Sequence, residues 1–231
     1  MPAFPSPLDQ PIWTALATQQ AHLGAGDALA RRYLADVAPF AAVACETEAA
    51  WQALHRLLMP GEQVVVLSAD APAVTDALQA THIGTIHQMV ATREAPARIE
   101  ESGFVTLGAA DSPDMLALVA RTQPGPFGKR THEMGSYIGL RDAGRLVAMA
   151  GERMKMSGYV EISGVCVDDA WRNRGIAGRL VSVLRRQIEA RGDTAFLHVF
   201  GHNHAAIAVY ERLGFALRRT FALTRIARRD A

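Results

Sequence analysis

The sequence lacks a strong charge of either sign. Its 24 lysine and arginine residues nearly balance 23 aspartate and glutamate residues, and the formal net charge is +1. A charge of this size creates no field that would hold the protein on nucleic acid or on an anionic membrane. We therefore expect no nucleic-acid partner, and any bound anion must be held by a local site.

Cysteine and long apolar runs are also scarce. Cys45 and Cys166 are the two cysteines, and we expect both to be reduced because nothing points to a secretory context. Residues 1–13 contain four prolines and no basic segment before an apolar run, unlike a signal peptide. No apolar stretch reaches the ~18 residues of a membrane helix. We expect a cytoplasmic protein without a membrane partner.

The composition is that of a globular enzyme, since 49% of the 231 residues are hydrophobic and 20% are charged. The length fits one large domain or two small ones. The amino-acid composition changes near residue 100. Residues 93–102 are rich in charged side chains and contain Pro96, which suggests a linker. We predict an N-terminal α/β region of unknown role at 1–100 and a second domain at 101–231.

Hydrophobic patterns predict strands that alternate with helices. The first region has a predicted strand at 41–44, a helix that begins after Thr47 and ends before Pro60, and a strand at 64–67. The second region has predicted strands at 104–107, 137–140, 145–149, 159–167, 196–200 and 215–223, and helices from 112, at 175–190 and at 203–213. This order predicts an α/β (α+β) fold in which helices pack against a mixed sheet.

The most informative segment is a glycine-centred turn. A strand ends, the turn carries Arg172 and Arg174, and a helix begins at Gly175. Free N–H groups at a helix start bind phosphate oxygens, and Gly175, Ala177 and Gly178 leave room for a bulky anion. On this segment alone, a glycine used for tight packing remains an alternative. The pattern is neither G-x-G-x-x-G nor a Walker loop, which disfavours NAD and ATP.

Two motifs together resemble those of the GNAT superfamily of N-acetyltransferases. Residues 172–177 (Arg-Asn-Arg-Gly-Ile-Ala) are similar to its R/Q-x-x-G-x-G/A acyl-CoA signature. Residues 203–215 are similar to its N-x-x-A-x-x-x-Y-x-x-x-G-F pattern. The order and spacing of the two motifs are far more specific than either motif alone. The residues of the two motifs also resemble those of the glycine N-acyltransferase-like branch of the superfamily.

This resemblance implies a fold and an activity. The fold would be a GNAT fold, with a mixed, mostly antiparallel central sheet flanked by helices. The reaction would transfer an acyl group from acetyl-CoA, or another short acyl-CoA, to a primary amine of a small molecule or peptide. The family does this by direct attack, without a covalent enzyme intermediate and without a metal. A non-catalytic acyl-CoA sensor is the alternative function. The sequence leaves open whether the protein forms a homodimer.

The resemblance also implies a set of residues that bind CoA. They are Val165, Cys166, Val167, Arg172, Asn173, Arg174, Gly175, Ile176, Ala177, Gly178 and Asn203. The backbone of the valines would pair with the pantetheine arm, as an added strand pairs with a sheet edge, and the Cys166 N–H would face the thioester oxygen. The Cys166 thiol itself is expected to be a small buried group, and Asn203 is equally well explained as a helix N-cap.

Two residues depart from the family motif. Asn173 stands where the family often has Gly, and Asn tolerates left-handed dihedral angles better than most residues. Asp169, beside Asp168, stands where the family often has Pro. Two carboxylates beside a phosphate site predict a modest affinity for CoA unless they point to solvent.

Tyr210 and Glu161 are the candidate catalytic residues. The family places a general acid at Tyr210, although a core tyrosine on an amphipathic helix is the alternative. Histone-acetylating members of the superfamily have a similarly placed Glu, so Glu161 is the candidate general base. Without a bulge in its strand, Glu161 shares a face with Val165 and Val167, and burial would raise its pKa. The alternatives are a Glu paired with a basic residue, and Glu152 as the base.

Histidines near the second motif match no zinc pattern. His198, His202 and His204 lie close in sequence, but their spacing is not that of a standard site and no cysteine is near. We therefore predict no metal. His132 and Glu133 are expected to be exposed loop residues rather than acceptor contacts.

Overall fold

The computed structural model describes residues 6–92 and 102–229. Its helices are α1 (Pro11–Ala17), α2 (Glu48–Leu57), α3 (Ser112–Thr122), α4 (Ile176–Ala190) and α5 (His204–Arg212). Its strands are β1 (Gly24–Gly26), β2 (Ala30–Tyr33), β3 (Ala41–Val43), β4 (Gln63–Ser68), β5 (Leu78–Ala91), β6 (Phe104–Leu107), β7 (Tyr137–Asp142), β8 (Arg145–Met156), β9 (Tyr159–Val167), β10 (Thr194–Phe200) and β11 (Phe215–Arg228). The predicted linker, except residue 102, and the predicted boundary near residue 100 lie outside the described residues.

The described chain forms two compact units that are not contiguous in sequence. One unit contains the described residues up to Ala35, then Pro39–Ile86 and the residues from Thr220 onward. The other contains Asp36–Ala38 and the described residues of His87–Arg219. Strands β5 and β11 therefore contribute residues to both units.

The unit that contains the N-terminal residues has a small sheet of its own. Strands β1, β2 and β3 pair antiparallel in that order, and β4 pairs antiparallel with the C-terminal part of β11. Helix α2 begins after Thr47, whose side chain accepts a hydrogen bond from the Ala50 N–H at 3.3 Å. The predicted strand, helix and strand over residues 41–67 are thus confirmed. Trp51 and Leu54 of α2 lie in the core of this unit with Val64 and Ile226.

The second unit is built around a mixed sheet with helices on both faces. Its strand order is β11–β5–β10–β9–β8–β7–β6, with β9 and β10 parallel and the pairs from β9 to β6 antiparallel. Ala148 and Ala150 pack in the cluster of α4, whereas Met149 between them packs in the cluster of α3. Because side chains alternate along a strand, α3 and α4 cover opposite faces. The predicted fold class is confirmed.

Two bulges change the register between β8 and β9. Gly151 pairs with Ser163 and Met149 with Cys166, so Gly164 and Val165 together oppose Ala150. Gly164 has φ +62°, the left-handed conformation that glycine adopts without strain. The second bulge lies in β8, between its pairs with Ile162 and Val160.

The bulge at Gly164 changes which side chains share a face. Val165 and Val167 pack against the cluster of α4. Val160 and Ile162 belong to that same cluster, so Glu161 between them points to the opposite face. The shared face of Glu161, Val165 and Val167 was expected only for a strand without a bulge, and the bulge at Gly164 removes that condition.

No helix of the described residues is long and apolar enough to cross a membrane.

Candidate functional site

The start of α4 offers backbone groups without side chains in front of them. Gly175 is the N-cap residue, with φ +72°, and no side chain caps the helix. A Cβ atom placed at Gly175 or Gly178 would meet nothing within 4 Å. Asn173 has φ +62°, the left-handed conformation expected of it. The N–H groups of the first turn therefore face open space with the positive end of the helix dipole, which is the arrangement that binds phosphate.

The two arginines of the turn lie beside this helix start and make contacts within the turn. Arg172 forms an ion pair with Asp169 at 2.7 Å and donates to the Val167 carbonyl at 3.4 Å. Arg174 donates to the Ala170 carbonyl at 3.2 Å, and its guanidinium lies 4.7 Å from the centre of the Trp171 ring. The Arg172 side chain remains 53% exposed. Both guanidinium groups are thus held near the helix start by weak surface contacts that an anion could replace.

The carboxylates of the turn are both paired. Asp168 binds Arg121 at 3.1 Å and Arg145 at 2.6 Å. Burial alone would raise the pKa of Asp168, but hydrogen bonds from the Ala170 N–H and Arg121 hold it below its usual value. Asp169 is 77% exposed and is paired with Arg172. Neither carboxylate stands as an uncompensated charge, so the physical reason for expecting a modest CoA affinity is weakened.

Strands β9 and β10 separate on the way to this turn. Their parallel pairing covers three positions and ends where Glu161 faces Phe196. Beyond these paired positions, β9 continues through residues 162–167 and β10 through residues 197–200. Parallel neighbours normally stay bonded along their length. The β9 backbone at Val165 and Val167 therefore borders a gap in the sheet, where an extended arm could pair as an added strand.

Helix α5 carries the second motif. Its N-cap is Asn203, whose side-chain oxygen accepts the Ala206 N–H at 3.1 Å. Tyr210 is half-buried, and its ring centre lies 6.3 Å from that of Phe215 in an edge-on contact. Burial raises the pKa of Tyr210 to about 12. The phenol therefore stays protonated at neutral pH and is able to donate.

Glu161 is held in a buried ion pair. The side chain is 0% exposed, Arg153 binds both of its oxygens at 3.0 and 2.6 Å, and His198 Nδ1 lies 2.8 Å from Oε1. Burial alone would raise the pKa of Glu161, but the charge of Arg153 and the hydrogen bonds outweigh it and lower the pKa to about 2. The expectation of a raised pKa is wrong. The geometry favours the alternative stated above, a glutamate paired with a basic residue.

Glu152, the other candidate base, is also held. Its side chain is fully buried and binds Lys155 at 2.7 Å and Arg191 at 2.6 Å. Burial alone would raise the pKa of Glu152, but these two cations keep it below its usual value. Neither predicted carboxylate is free to take a proton from an amine.

The Cys166 thiol and the histidines are the remaining candidate site groups. Cys166 is buried, and burial raises the pKa of its thiol to about 11, so it is a poor nucleophile at neutral pH. His202 stacks on Phe200 with ring centres 5.2 Å apart. Among the residues that the structure describes, no three His, Cys, Asp or Glu side chains are grouped so as to hold a metal ion.

Sequence reasoning missed the partners of Glu161. Arg153 and His198 come from the strands on either side of β9, and their spacing in sequence carries no motif. One available signal was Arg153, which follows closely on the apolar run 146–151, because a charged residue that is buried there needs a partner.

A mixed sheet whose parallel strands part beside an open helix start defines an α/β protein with a candidate anion site at its sheet opening. The family model described as FR47-like protein matches residues 137–223. A solved structure from Novosphingobium aromaticivorans, assigned to the GNAT family of acetyltransferases, is 35% identical and has a TM-score of 0.91. That match covers 98% of this chain and 100% of the other. The chain belongs to the GNAT family.

Curated relatives match the C-terminal part of the sequence. An N-alpha-acetyltransferase, RimI of Mycobacterium tuberculosis, is 39% identical over 93 residues, which is 37% of this chain and 56% of that protein. The L-amino acid N-acetyltransferase AaaT of Escherichia coli is 38% identical over 82 residues, 33% of this chain and 48% of that protein. The chain therefore spans about half the length of the curated relatives that it matches.

The open start of α4 leads to a prediction about CoA binding. Gly178→Glu should lower the affinity for CoA by at least ~10-fold, because it places a carboxylate in the anion site. The fold should be kept, since Gly178 has open space and an acidic residue in the first turn suits the helix dipole. Calorimetric titration with CoA would measure the change. Gly178→Gln is the size-matched control, and equal CoA affinities for the Glu and Gln variants would contradict an anion site here.

The ion pair of Glu161 leads to a prediction about stability and pH. The folded pKa of about 2 lies below the ordinary value of 4.5, so the pair stabilises the fold above about pH 5 and loses its contribution as the pH falls toward 2. The loss should be on the order of 2–3 kcal/mol. The double variant Arg153→Met, Glu161→Gln removes both charges and should show a correspondingly smaller decline. Urea unfolding between pH 7 and pH 3 would test this, and parallel declines for parent and variant would contradict it.

Proposed function

We propose that the protein is an acetyl-CoA-dependent N-acetyltransferase whose acceptor is an α-amino group. One observation carries the proposal: the start of α4 has no capping side chain and lies in open space, at the end of a strand that has left its parallel neighbour. Membership of the GNAT family, whose members use acetyl-CoA, supports the same conclusion. We assign the chemistry to residues 101–231, and the two unpaired cysteines fit a reducing compartment such as the cytoplasm.

The donor site would use backbone rather than side chains for most contacts. N–H groups at residues 175–178 would hold the diphosphate, with Arg172 and Arg174 adding charge-assisted contacts. The free stretch of β9 at Val165 and Val167 would pair with the pantetheine arm. The fit rests on the missing Cβ atoms at Gly175 and Gly178, where a side chain would otherwise fill the approach.

Acetyl-CoA supplies the acyl group as a thioester, and the chain must protonate the thiolate that leaves. Tyr210 suits this role because its pKa is raised to about 12 by burial, so it carries a proton throughout the neutral range. Tyr210 is half-buried, and its hydroxyl makes no hydrogen bond to any residue in the described ranges. A phenol without a competing partner is available to a substrate atom.

Neither of the two candidate carboxylates is free to act as a base. This favours an acceptor whose amine loses its proton easily. A peptide α-amino group has a pKa near 7.7–8.0, so roughly a tenth of it is neutral at pH 7, whereas a lysine amine near 10.4 is neutral in fewer than about one in a thousand molecules. Glu161 and Glu152 are both held by cations. An enzyme with these side chains is better suited to a peptide N-terminus than to a lysine.

The names of the relatives agree with an α-amine as acceptor but differ on the kind of molecule that carries it. RimI is named for N-alpha-acetylation and AaaT for L-amino acids. The resemblance to the glycine N-acyltransferase-like branch also points to a free amino acid. Of these acceptors we favour a peptide N-terminus, because its amine loses its proton more easily.

Release of CoA thiol would test the activity and the acceptor class together. Acetyl-CoA would be mixed with peptides that have a free N-terminus, with the same peptides blocked at the N-terminus but carrying lysine, and with free amino acids. Thiol release with free N-termini alone is the expected result. Release with the blocked lysine peptides alone would overturn the acceptor class. Calorimetric CoA binding without release from any acceptor would favour the sensor alternative.

The role of Tyr210 leads to a prediction about turnover. Tyr210→Phe removes the hydroxyl and keeps the ring contact with Phe215, so kcat should fall by roughly 10²- to 10⁴-fold while CoA affinity changes little. Tyr159→Phe, at the other end of the parted strand, is the matched control and should retain parental turnover. Steady-state kinetics and calorimetry would provide the two readouts. Parental kcat in Tyr210→Phe would show that this tyrosine is only part of the core.

A further inference from the structure

Side chains from five consecutive strands form one chain of hydrogen bonds across the sheet. The strands are β8, β9, β10, β5 and β11, which are neighbours in that order. They contribute Arg153, Glu161, His198, Gln88 and Arg218, respectively. All five residues belong to the same compact unit. We call this set the polar ladder.

The contacts of the polar ladder are short and mostly buried. Arg153 binds both oxygens of Glu161, and His198 Nδ1 lies 2.8 Å from Glu161 Oε1. On the far side of the imidazole, Nε2 lies 3.3 Å from Gln88 Nε2, and Arg218 donates to Gln88 Oε1 at 3.0 Å. Gln88 is fully buried and the His198 side chain is 1% exposed. Contacts of this kind are strengthened by the low dielectric around them.

The order of donors fixes the tautomer of His198. Arg218 can only donate, so the Gln88 oxygen faces Arg218 and its NH₂ group faces the imidazole. Nε2 of His198 must then accept, and Nδ1 carries the hydrogen that it donates to the Glu161 carboxylate. His198 is therefore a connector in which each ring nitrogen is already engaged.

The polar ladder crosses the sheet where backbone pairing stops. Glu161 faces Phe196 in the last paired position of β9 and β10, and His198 lies two residues further along β10. If the register continued, His198 would face Ser163. Its side chain instead reaches back to Glu161, so a side-chain hydrogen bond replaces the next backbone contact between the two strands. The edge of the Phe196 ring packs against the imidazole, with ring centres 5.6 Å apart.

The ladder lies on the face opposite α4. Val160 and Ile162 flank Glu161, Leu197 and Val199 flank His198, and Met89 follows Gln88. All five apolar residues belong to the core cluster of α4. Side chains between them therefore point to the other face. The helix start that would hold phosphate and the ladder thus act on the same parted strands from different sides.

We propose that Glu161 and His198 are positioning residues, which fix the separation of β9 and β10 and so preform the slot for the pantetheine arm. This inference rests on the proposed use of acetyl-CoA. Two strands without backbone bonds between them are free to close or to fray, and a slot that must form on binding weakens affinity. The clamp between Glu161 and His198 holds the opening at the width of the last backbone pair. Neither residue exchanges a proton with the substrate.

Three substitutions of His198 separate the parts of this proposal. His198→Asn keeps a donor near Nδ1 and so retains the contact to Glu161. His198→Gln places its amide near Nε2 and retains the contact to Gln88. His198→Leu removes both contacts. Hydrogen exchange of residues 162–167 and 197–200 without ligand reports the strand ends, and steady-state kinetics report KM for acetyl-CoA and kcat.

Exchange at these strand ends should be faster in His198→Leu and His198→Gln and near parental in His198→Asn. KM for acetyl-CoA should rise ~10-fold in the first two variants, with kcat within about 3-fold of the parent, as expected for misplaced binding groups. A fall in kcat with KM unchanged, or a failure of Asn to restore KM, would overturn the positioning role. Unchanged exchange in His198→Leu would overturn it whether or not CoA is turned over. Failure of the parent itself to bind CoA would instead refute the proposed function.

Discussion

The early end of the pairing between β9 and β10 is the constraint on which the site depends. A parallel pair that parts within a sheet leaves backbone groups without their usual partners, and such groups need water, ligand or side chains in place of the missing strand. The bulge at Gly164 turns the end of β9 without strain, because glycine accepts φ +62°. The bulge also directs Val165 and Val167 toward the cluster of α4. The opening is therefore encoded in β9 itself, before any ligand contributes.

The charges around the opening are arranged so that little negative charge faces the start of α4. Asp168 is bound by Arg121 and Arg145, and Asp169 by Arg172. Such surface pairs contribute little to stability, with typical values below about 1 kcal/mol. Their effect on binding is larger, because an unpaired carboxylate beside a phosphate site would repel the ligand directly. A sequence with almost no net charge can in this way keep unpaired negative charge away from one helix start.

The sequence predicted local structure well and predicted long-range contacts poorly. Strands β6 and β9 were predicted with the bounds that they have, because apolar runs and turn residues mark their ends. Strand β5 was missed, since its fourteen residues mix polar and apolar side chains without a period. The face of Glu161 could be predicted only on the condition of an unbroken strand, because a bulge depends on the facing strand. The contact of Glu161 with His198 spans 37 positions and has no local signature.

The buried ion pair of Arg153 and Glu161 is better explained by the strand geometry that it fixes than by the stability that it adds. An apolar pair of similar volume is often as stable as a buried ion pair, because desolvation offsets the attraction. An apolar pair would tolerate small shifts of one strand against another, whereas bidentate hydrogen bonds at 2.6 and 3.0 Å fix distance and orientation together. That precision matters where the backbone no longer supplies it. The same bonds occupy both carboxylate oxygens of Glu161 and leave neither of them free of a charged or hydrogen-bonding partner.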